Sequence, residues 1–406
     1  MTSLDIAVLD AEQRQSLVAV RSLGRAGLRV GAFGSARWAP AYASRWSAMS
    51  GLVPECSRPA ELVDALLAIA DAHGPLVLLP TTDGTIEALR ARRAELERRV
   101  IVALAPERAL EIAVDKSKTL ALAAELGIAA PRTVEIEDLE DVEAAGAEVG
   151  FPAVVKPVRS WVEGEAGGAR LTSSLVVDAS EGRAAAGAAI GAGGAVILQQ
   201  WVTGAREAVS LIYAGGRVRA RFAQVAERMF PSLGGSSVLR ESIAPPPELL
   251  DAAERLVGAV GLEGYSEVEF RRDSSGCPHL MEINPRLSAS VEVAVRAGVD
   301  FPALLYAWAT GEEVPDANWY RRGLRMRWLG GDLRWLRETL LRPGRPELVP
   351  AGRAVAIFAR DFLRPAAYDY VSLSDPRPVL LATAGFGLRA IDRVVRKQPL
   401  EGRSSP

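Results

Sequence analysis

Short apolar runs alternate with amphipathic stretches over the first hundred positions. Residues 4–10 (LDIAVLD) read as a buried strand, and residues 15–27 set Leu17, Val20, Leu23 and Gly24 on one helical face before a second strand over 28–33. The order then recurs as a helix over 59–72, a strand over 76–80, a helix over 84–93 and a strand over 100–105. Such alternation predicts a parallel sheet covered on both faces. The first turn, DAEQRQS, has no G-x-G-x-x-G, which argues against a dinucleotide on the first helix. Asp83, in LLPTTDGT, follows a strand end, where it serves either as a helix N-cap or at a ligand edge.

Beyond residue 110 the pattern changes. A long amphipathic helix is expected over 111–126, closed by Gly127 and Pro131, and FPAVVKP (151–157) reads as a strand between prolines. The glycine-bearing stretch between Pro157 and Leu171 has no periodicity and reads as a loop. The strand LTSSLVV, a helix over 181–190 and the strand AVILQQWV follow. EAVSLIYAGGRVRARFAQVAER has the shape of a hairpin with a glycine turn, and YSEVEFRRD and PHLMEINP, joined by SSGC, form a second. Side chains two apart on a strand share a face, so Glu267 and Glu269 point one way, as do Glu282 and Asn284 on the neighbouring strand. These oxygens could share Mg²⁺, which prefers oxygen ligands and is often completed by phosphates. The other reading is a solvent-facing row of acids paired with Arg271, Arg272 or Arg286.

Composition narrows the choice. A length of 406 residues implies two or three domains, and 50 acidic against 48 basic residues argue against a nucleic-acid partner. Two cysteines (Cys56, Cys277) and two histidines (His73, His279) are too few for a structural zinc site, a disulfide framework or a conventional cysteine–histidine dyad, so any metal is expected on oxygen. Neither a signal peptide nor a transmembrane segment is apparent, which makes the cytoplasm the expected compartment. Lysine occurs only at 116, 118, 156 and 397, so the first three stand out in an arginine-rich chain.

Four separated segments, DKSKTLALAAELGIAAPRT, FPAVVKP, VILQQWVTGARE and VEFRRDSSGCPHLMEINPR, occur in the order found in the ATP-grasp superfamily, which the chain resembles over about residues 113–315. The resemblance implies a fold of mixed α/β and α+β class: an N-terminal parallel-sheet α/β domain (1–112), a two-lobed ATP-grasp core (113–315) and an Arg-rich C-terminal extension (316–406). It implies ATP and Mg²⁺ as cofactors, with Mn²⁺ as the alternative ion. Lys116 and Lys156 would hold phosphates, Gln199, Gln200 and the Val202 backbone would meet adenine, and Glu207 would bind the ribose. Glu269, Glu282 and Asn284 would be metal ligands, and Arg286 would stabilise the transferred phosphate, with Glu267 a spare acid behind them, an arginine's partner or a further ligand. Arg240, with Arg228, would face the acceptor's carboxylate or lie on the surface.

Glu163 and Glu165 sit where relatives carry glycine, and are expected to face solvent or a cationic acceptor. In the extension, Arg325, Trp328, Leu329, Leu333, Leu336 and Leu340 suggest amphipathic helical pieces, and residues 378–397 suggest a packed helix or one resting on an anionic membrane. The function implied is ligation of a small carboxylate to an amine through an acyl phosphate. A small-molecule kinase and a non-catalytic nucleotide-binding scaffold are the alternatives, and homo-oligomerisation stays open.

Overall fold

The computed structural model describes residues 3–74, 76–164, 167–232, 234–342 and 348–385. The chain forms two compact units: one of residues up to Leu104 with Asp300–Glu313 and the segment from Tyr368 onward, the other of Ala105–Val299 and Val314–Ala367.

In the first unit β1 (Ile6–Val8), α1 (Arg14–Arg25), β2 (Val30–Gly34), β3 (Ser47–Leu52), α2 (Pro59–His73), β4 (Val77–Leu79), α3 (Asp83–Ala91), α4 (Arg93–Leu96) and β5 (Ile101–Val102) succeed one another. The five strands lie parallel in the order β3-β2-β1-β4-β5. Leu17, Val20 and Leu23 are buried on α1 as their spacing requires, each stabilising the fold by about 1.5–3 kcal/mol relative to exposure. Two arginines on the same helix are also buried. Arg14 is paired with Asp369 at 2.7 Å and Arg21 with Asp375 at 2.9 Å, so burial leaves neither charge uncompensated. Asp83 is not the cap of α3. Thr82 takes that role, accepting from the Thr85 amide, while Asp10 at the end of β1 accepts from Thr81, Thr82 and Thr85.

The second unit opens with α5 (Glu107–Ala113) and α6 (Lys116–Glu125) in place of the single helix expected over 111–126. Asp115 breaks it: its backbone is extended, its carboxylate accepts from the Lys118 amide at 3.1 Å, and the Lys116 amide donates to the Val158 carbonyl at 3.0 Å. Lys116 therefore begins a helix. The first lobe continues with β6 (Thr133–Ile136), α7 (Asp141–Val149), β7 (Ala153–Pro157), β8 (Trp161–Gly164), β9 (Gly167–Arg170), β10 (Ser174–Val176), α8 (Ala179–Gly191) and β11 (Val196–Gln200). Its antiparallel sheet, β10-β7-β11-β6, buries Val155, Val196 and Leu198 against Val142 and Ala145 of α7 and Ala186 of α8. The stretch read as a loop is a hairpin, with Trp161 opposite Arg170 and Val162 opposite Ala169. A Cβ on Gly168 would stand 2.3 Å from the Trp161 ring, so the glycine makes room for the indole.

The second lobe comprises β12 (Arg206–Ala214), β13 (Arg217–Phe230), β14 (Ser236–Ile243), α9 (Pro247–Val260), β15 (Gly264–Arg272), β16 (Pro278–Asn284) and α10 (Glu292–Ala297). After α11 (Phe301–Thr310), which belongs to the first unit, come β17 (Arg325–Arg327), α12 (Leu329–Leu341) and α13 (Ala351–Arg360). The sheet runs β16-β15-β12-β13-β14-β17, and Gly215 and Gly216, both at positive φ, turn β12 into β13.

Arg325 thus lies on a strand and not on a helix. On α12 Leu333 and Leu340 of the expected stripe are exposed and Leu336 is half-buried against the core of Val238 and Trp335, while Asp332, Trp335 and Thr339 are buried. Ion pairing fixes this rotation. Asp332 takes Arg228 through two 2.8 Å bonds and Arg327 through one of 2.5 Å, and Asp361 takes Arg228 as well. Arg228 also stacks on Trp335, with its guanidinium 4.8 Å from the ring centre. It is thereby committed to holding α12 on the sheet, and is neither a surface residue nor a carboxylate receptor. The expectation for 378–397 lies mostly outside the described residues. Among the described residues no helix is long and apolar enough to cross a membrane.

Candidate nucleotide and metal site

Cross-strand register places the chemistry of the second lobe in adjacent rows on one face. In the first row Arg271, Arg206, Ala226 and Arg240 stand side by side on β15, β12, β13 and β14. The next row holds Glu282, Glu269, Ala208 and Gln224, and the one after it Asn284, Glu267, Ser210 and Phe222. Asn284 Nδ2 donates to Glu269 at 3.3 Å and to Glu282 at 3.2 Å, while its Oδ1 accepts from Arg286 at 3.2 Å. Arg206 meets Glu269 at 3.1 Å. Burial, reinforced by Glu282 and Glu267, pushes the Glu269 carboxyl above the ordinary range, although Arg206 and Arg286 oppose it. Two crowded carboxylates with an amide between them, one of them reluctant to ionise, form an oxygen-donor set suited to a hard dication.

Lys116 of the first lobe reaches the same carboxylates, and Lys156 feels their charge. Lys116 lies 3.9 Å from Glu282 and donates to Ser160 at 3.2 Å. Lys156 is partly buried, and its pKa is pushed down to about 8 chiefly by desolvation, with Lys116 and Arg271 adding to the effect and Glu282 and Glu269 opposing it. Lys156 faces Ile197 on β11, which puts Gln199, two residues on, on the lysine's side of that sheet. The Gln199 amide donates to Thr133 at 2.9 Å. Gln200 necessarily points to the opposite side, where it accepts from Arg132, so the two glutamines are not brought together. Lys118 follows Asp115 into α6 and does not join the cluster in any contact described.

Glu207 is not brought to the acidic row either. As the residue after Arg206 it faces away, and Arg272 donates to it at 2.6 Å. The Val202 carbonyl accepts from Arg271 at 3.1 Å, and Arg271 also bonds the Gly204 carbonyl and lies 4.6 Å from the centre of the Trp201 ring. That arginine fixes the segment joining the two lobes. Glu267 is 1 % exposed and accepts from Ser210 at 3.2 Å and Gln224 at 2.9 Å, so it is hydrogen-bonded into the core and not paired with an arginine. Arg240 is fully buried in the row of Arg206. Arg206 was not singled out from the sequence. Its parity with Ala208 and Ser210 was readable there, but its place beside Glu269 depends on register. The Glu163 side chain and all of Glu165 lie outside what is described.

Several known proteins are similar to this chain. The family described as ATP-grasp in the biosynthetic pathway with Ter operon matches residues 231–331. D-alanine–D-alanine ligases of Pseudomonas entomophila and Stutzerimonas stutzeri are each 28 % identical over 210 and 208 residues, 48 % of this chain. The matches span 63 % of the length of these curated relatives. Among solved structures, N5-carboxyaminoimidazole synthetase from Staphylococcus aureus complexed with ADP superposes with a TM-score of 0.64 at 14 % identity, covering 84 % of this chain and 87 % of that one. L-amino acid ligase from Bacillus licheniformis gives 0.55 at 17 %, covering 76 % and 75 %. In fold, motif order and these partial sequence matches the chain is thus similar to ATP-grasp proteins.

Proposed function

We propose that the protein is an ATP-dependent ligase that joins a small carboxylate to an amine. The observation that carries this reading is the meeting of Lys116, Arg206, Arg286 and the pair Glu269 and Glu282 around Asn284, a concentration of charge fitted to phosphoryl transfer. In the proposed reaction a carboxylate oxygen attacks the γ-phosphorus of ATP and ADP leaves. The amine then attacks the acyl carbon, phosphate departs, and the amine's surplus proton passes to solvent.

Glu269, Glu282 and Asn284 would hold Mg²⁺, with Mn²⁺ able to replace it, and the ion would neutralise phosphate charge when bound. A half-turn of the Asn284 amide exchanges its nitrogen for its oxygen on the carboxylate side. Lys116 and Lys156 would bind phosphate oxygens, and Arg286 would follow the transferred group. Gln199 and the Val202 backbone are proposed to line the adenine, whereas ribose recognition by Glu207 would require release from Arg272. Arg240 is proposed for the acceptor side, on its position in the Arg206 row.

The two ligase likenesses named for amino acids favour an amino acid as the carboxylate. Pairs of amino acids screened for ADP release test the activity, and hydroxylamine added during turnover traps an acyl phosphate as a hydroxamate. ADP without hydroxamate would favour an alcohol kinase, and Mg·ATP binding without ADP release a scaffold.

A further inference from the structure

We infer that the tip of the β15–β16 hairpin is a separate site for a borderline-soft divalent cation such as Zn²⁺, held by Cys277, His279 and Asp273. Two cysteines and two histidines in 406 positions give no sequence signal for such a site. The fold nevertheless brings one of each together. Their ligand atoms all lie within 4.8 Å of one another, against the roughly 3.3–3.8 Å between donors around a tetrahedral zinc with bonds of about 2.0–2.3 Å. Only small side-chain movements separate the two arrangements.

The hairpin prepares the donors. Asp273 Oδ1 accepts from the Ser275 amide (2.9 Å), the Ser275 hydroxyl (2.6 Å) and the Cys277 amide (3.0 Å), and the Asp273 amide donates to the Cys277 carbonyl at 3.0 Å. The turn is closed by these bonds and by Gly276 at φ +87°, which leaves Oδ2 to meet His279 Nε2 at 3.0 Å. Cys277 and His279 are two apart in an extended segment, so their side chains emerge on one side. Cys277 Sγ is exposed, and its recorded contact is a weak one to the Pro278 carbonyl at 3.9 Å.

A second observation concerns the imidazole: among the described residues His279 Nδ1 is buried without a hydrogen-bond partner. Such a ring has unsatisfied polar capacity, which a ring turned onto a metal would use. Charge also balances. The thiol releases its proton to solvent, and one thiolate and one carboxylate then neutralise the dication, with neutral imidazole as third donor and water in the fourth position. The site lies at the opposite end of β16 from Glu282 and Asn284 and does not depend on the ligase reading.

The test uses the full-length protein in saturating Mg²⁺, which occupies the oxygen site. Titration with Co²⁺ should give a thiolate-to-cobalt charge-transfer band at one equivalent, discharged by one equivalent of Zn²⁺. Cys277→Ser should abolish the band, His279→Ala should weaken binding at least tenfold, and Cys56→Ser should leave both unchanged. Because Cys277 is exposed, its serine variant is expected to melt at the wild-type temperature. Absence of the band from the wild type, its survival in Cys277→Ser, or undiminished affinity in His279→Ala would each overturn the inference.

Discussion

Lys156 illustrates how an environment gives a side chain its function. Desolvation lowers its pKa to about 8, so the free protein loses this cation as pH rises through that value, whereas an unfolded lysine keeps its proton to about 10.4. For the proposed enzyme, kcat/KM for ATP should fall about tenfold per pH unit above that point, and Lys156→Arg should remove the limb because guanidinium stays charged. Lys156→Ala should lower turnover at least tenfold, or ~1.4 kcal/mol of barrier, measured as ADP release at saturating ATP. Glu269 carries the opposite perturbation. Protonation competes with Mg²⁺ there, so Mg²⁺ affinity should rise with pH beyond the range usual for carboxylates, and Glu269→Gln should abolish that dependence in a calorimetric titration. Strand parity alone indicated which acids share a side. Parity also separates Gln199 from Gln200 and Arg206 from Glu207, whereas the row of Arg271, Arg206 and Arg240 needs four strands in register, which no local pattern encodes.

At the scale of elements, the hydrophobic repeat located α12 and the packed Leu336, but gave no sign that Leu333 and Leu340 stay exposed, because leucine spacing says nothing of a buried aspartate. Asp332 is wholly buried between Arg228 and Arg327, so Asp332→Ala should cost about 3–5 kcal/mol by taking the carboxylate from buried Arg327 and leaving Arg228 with Asp361 alone, read as a shift in the urea midpoint at unchanged slope. Replacing Asp332 and Arg327 together by apolar residues should cost less than the single change. The break before α6 was hidden for a similar reason: apolar positions continue through Val114, and only the capping of Asp115 divides the helix. The β8–β9 hairpin carried no alternation because glycines occupy much of it. Its signal was the pairing of one large ring with one absent side chain. Gly168→Val should displace the Trp161 indole and speed tryptic cleavage after Arg170 severalfold, and an unchanged rate would mean that the ring is not what fastens the two strands.

Across the whole molecule, the parallel sheet of the first unit was legible from alternating periods, but its completion was not. Phe301, Leu304 and Leu305 of α11 are buried in a unit that otherwise combines the start of the chain with the segment from Tyr368 onward, and sequence patterns report only neighbours. A fragment ending at Leu104 also lacks Asp300, Asp369 and Asp375, partners of Ser22, Arg14 and Arg21. Such a fragment should therefore unfold at lower urea than the unit does within the full chain, with hydrogen exchange on α1 at least tenfold faster. Asp375 links this to acidity. Burial works against its ionisation, but the Arg45 amide, Arg21 and Ser44 outweigh it and hold its pKa below the ordinary value. Its contribution is therefore present near neutrality and fades as pH falls through the depressed value. Synthesis meets the same arrangement as a matter of time. At about 5–20 residues per second, the ribosome needs on the order of tens of seconds to travel from Leu104 to Asp375. Throughout that interval Arg14 has yet to meet Asp369 and Arg21 has yet to meet Asp375, on a helix that is buried in the finished unit.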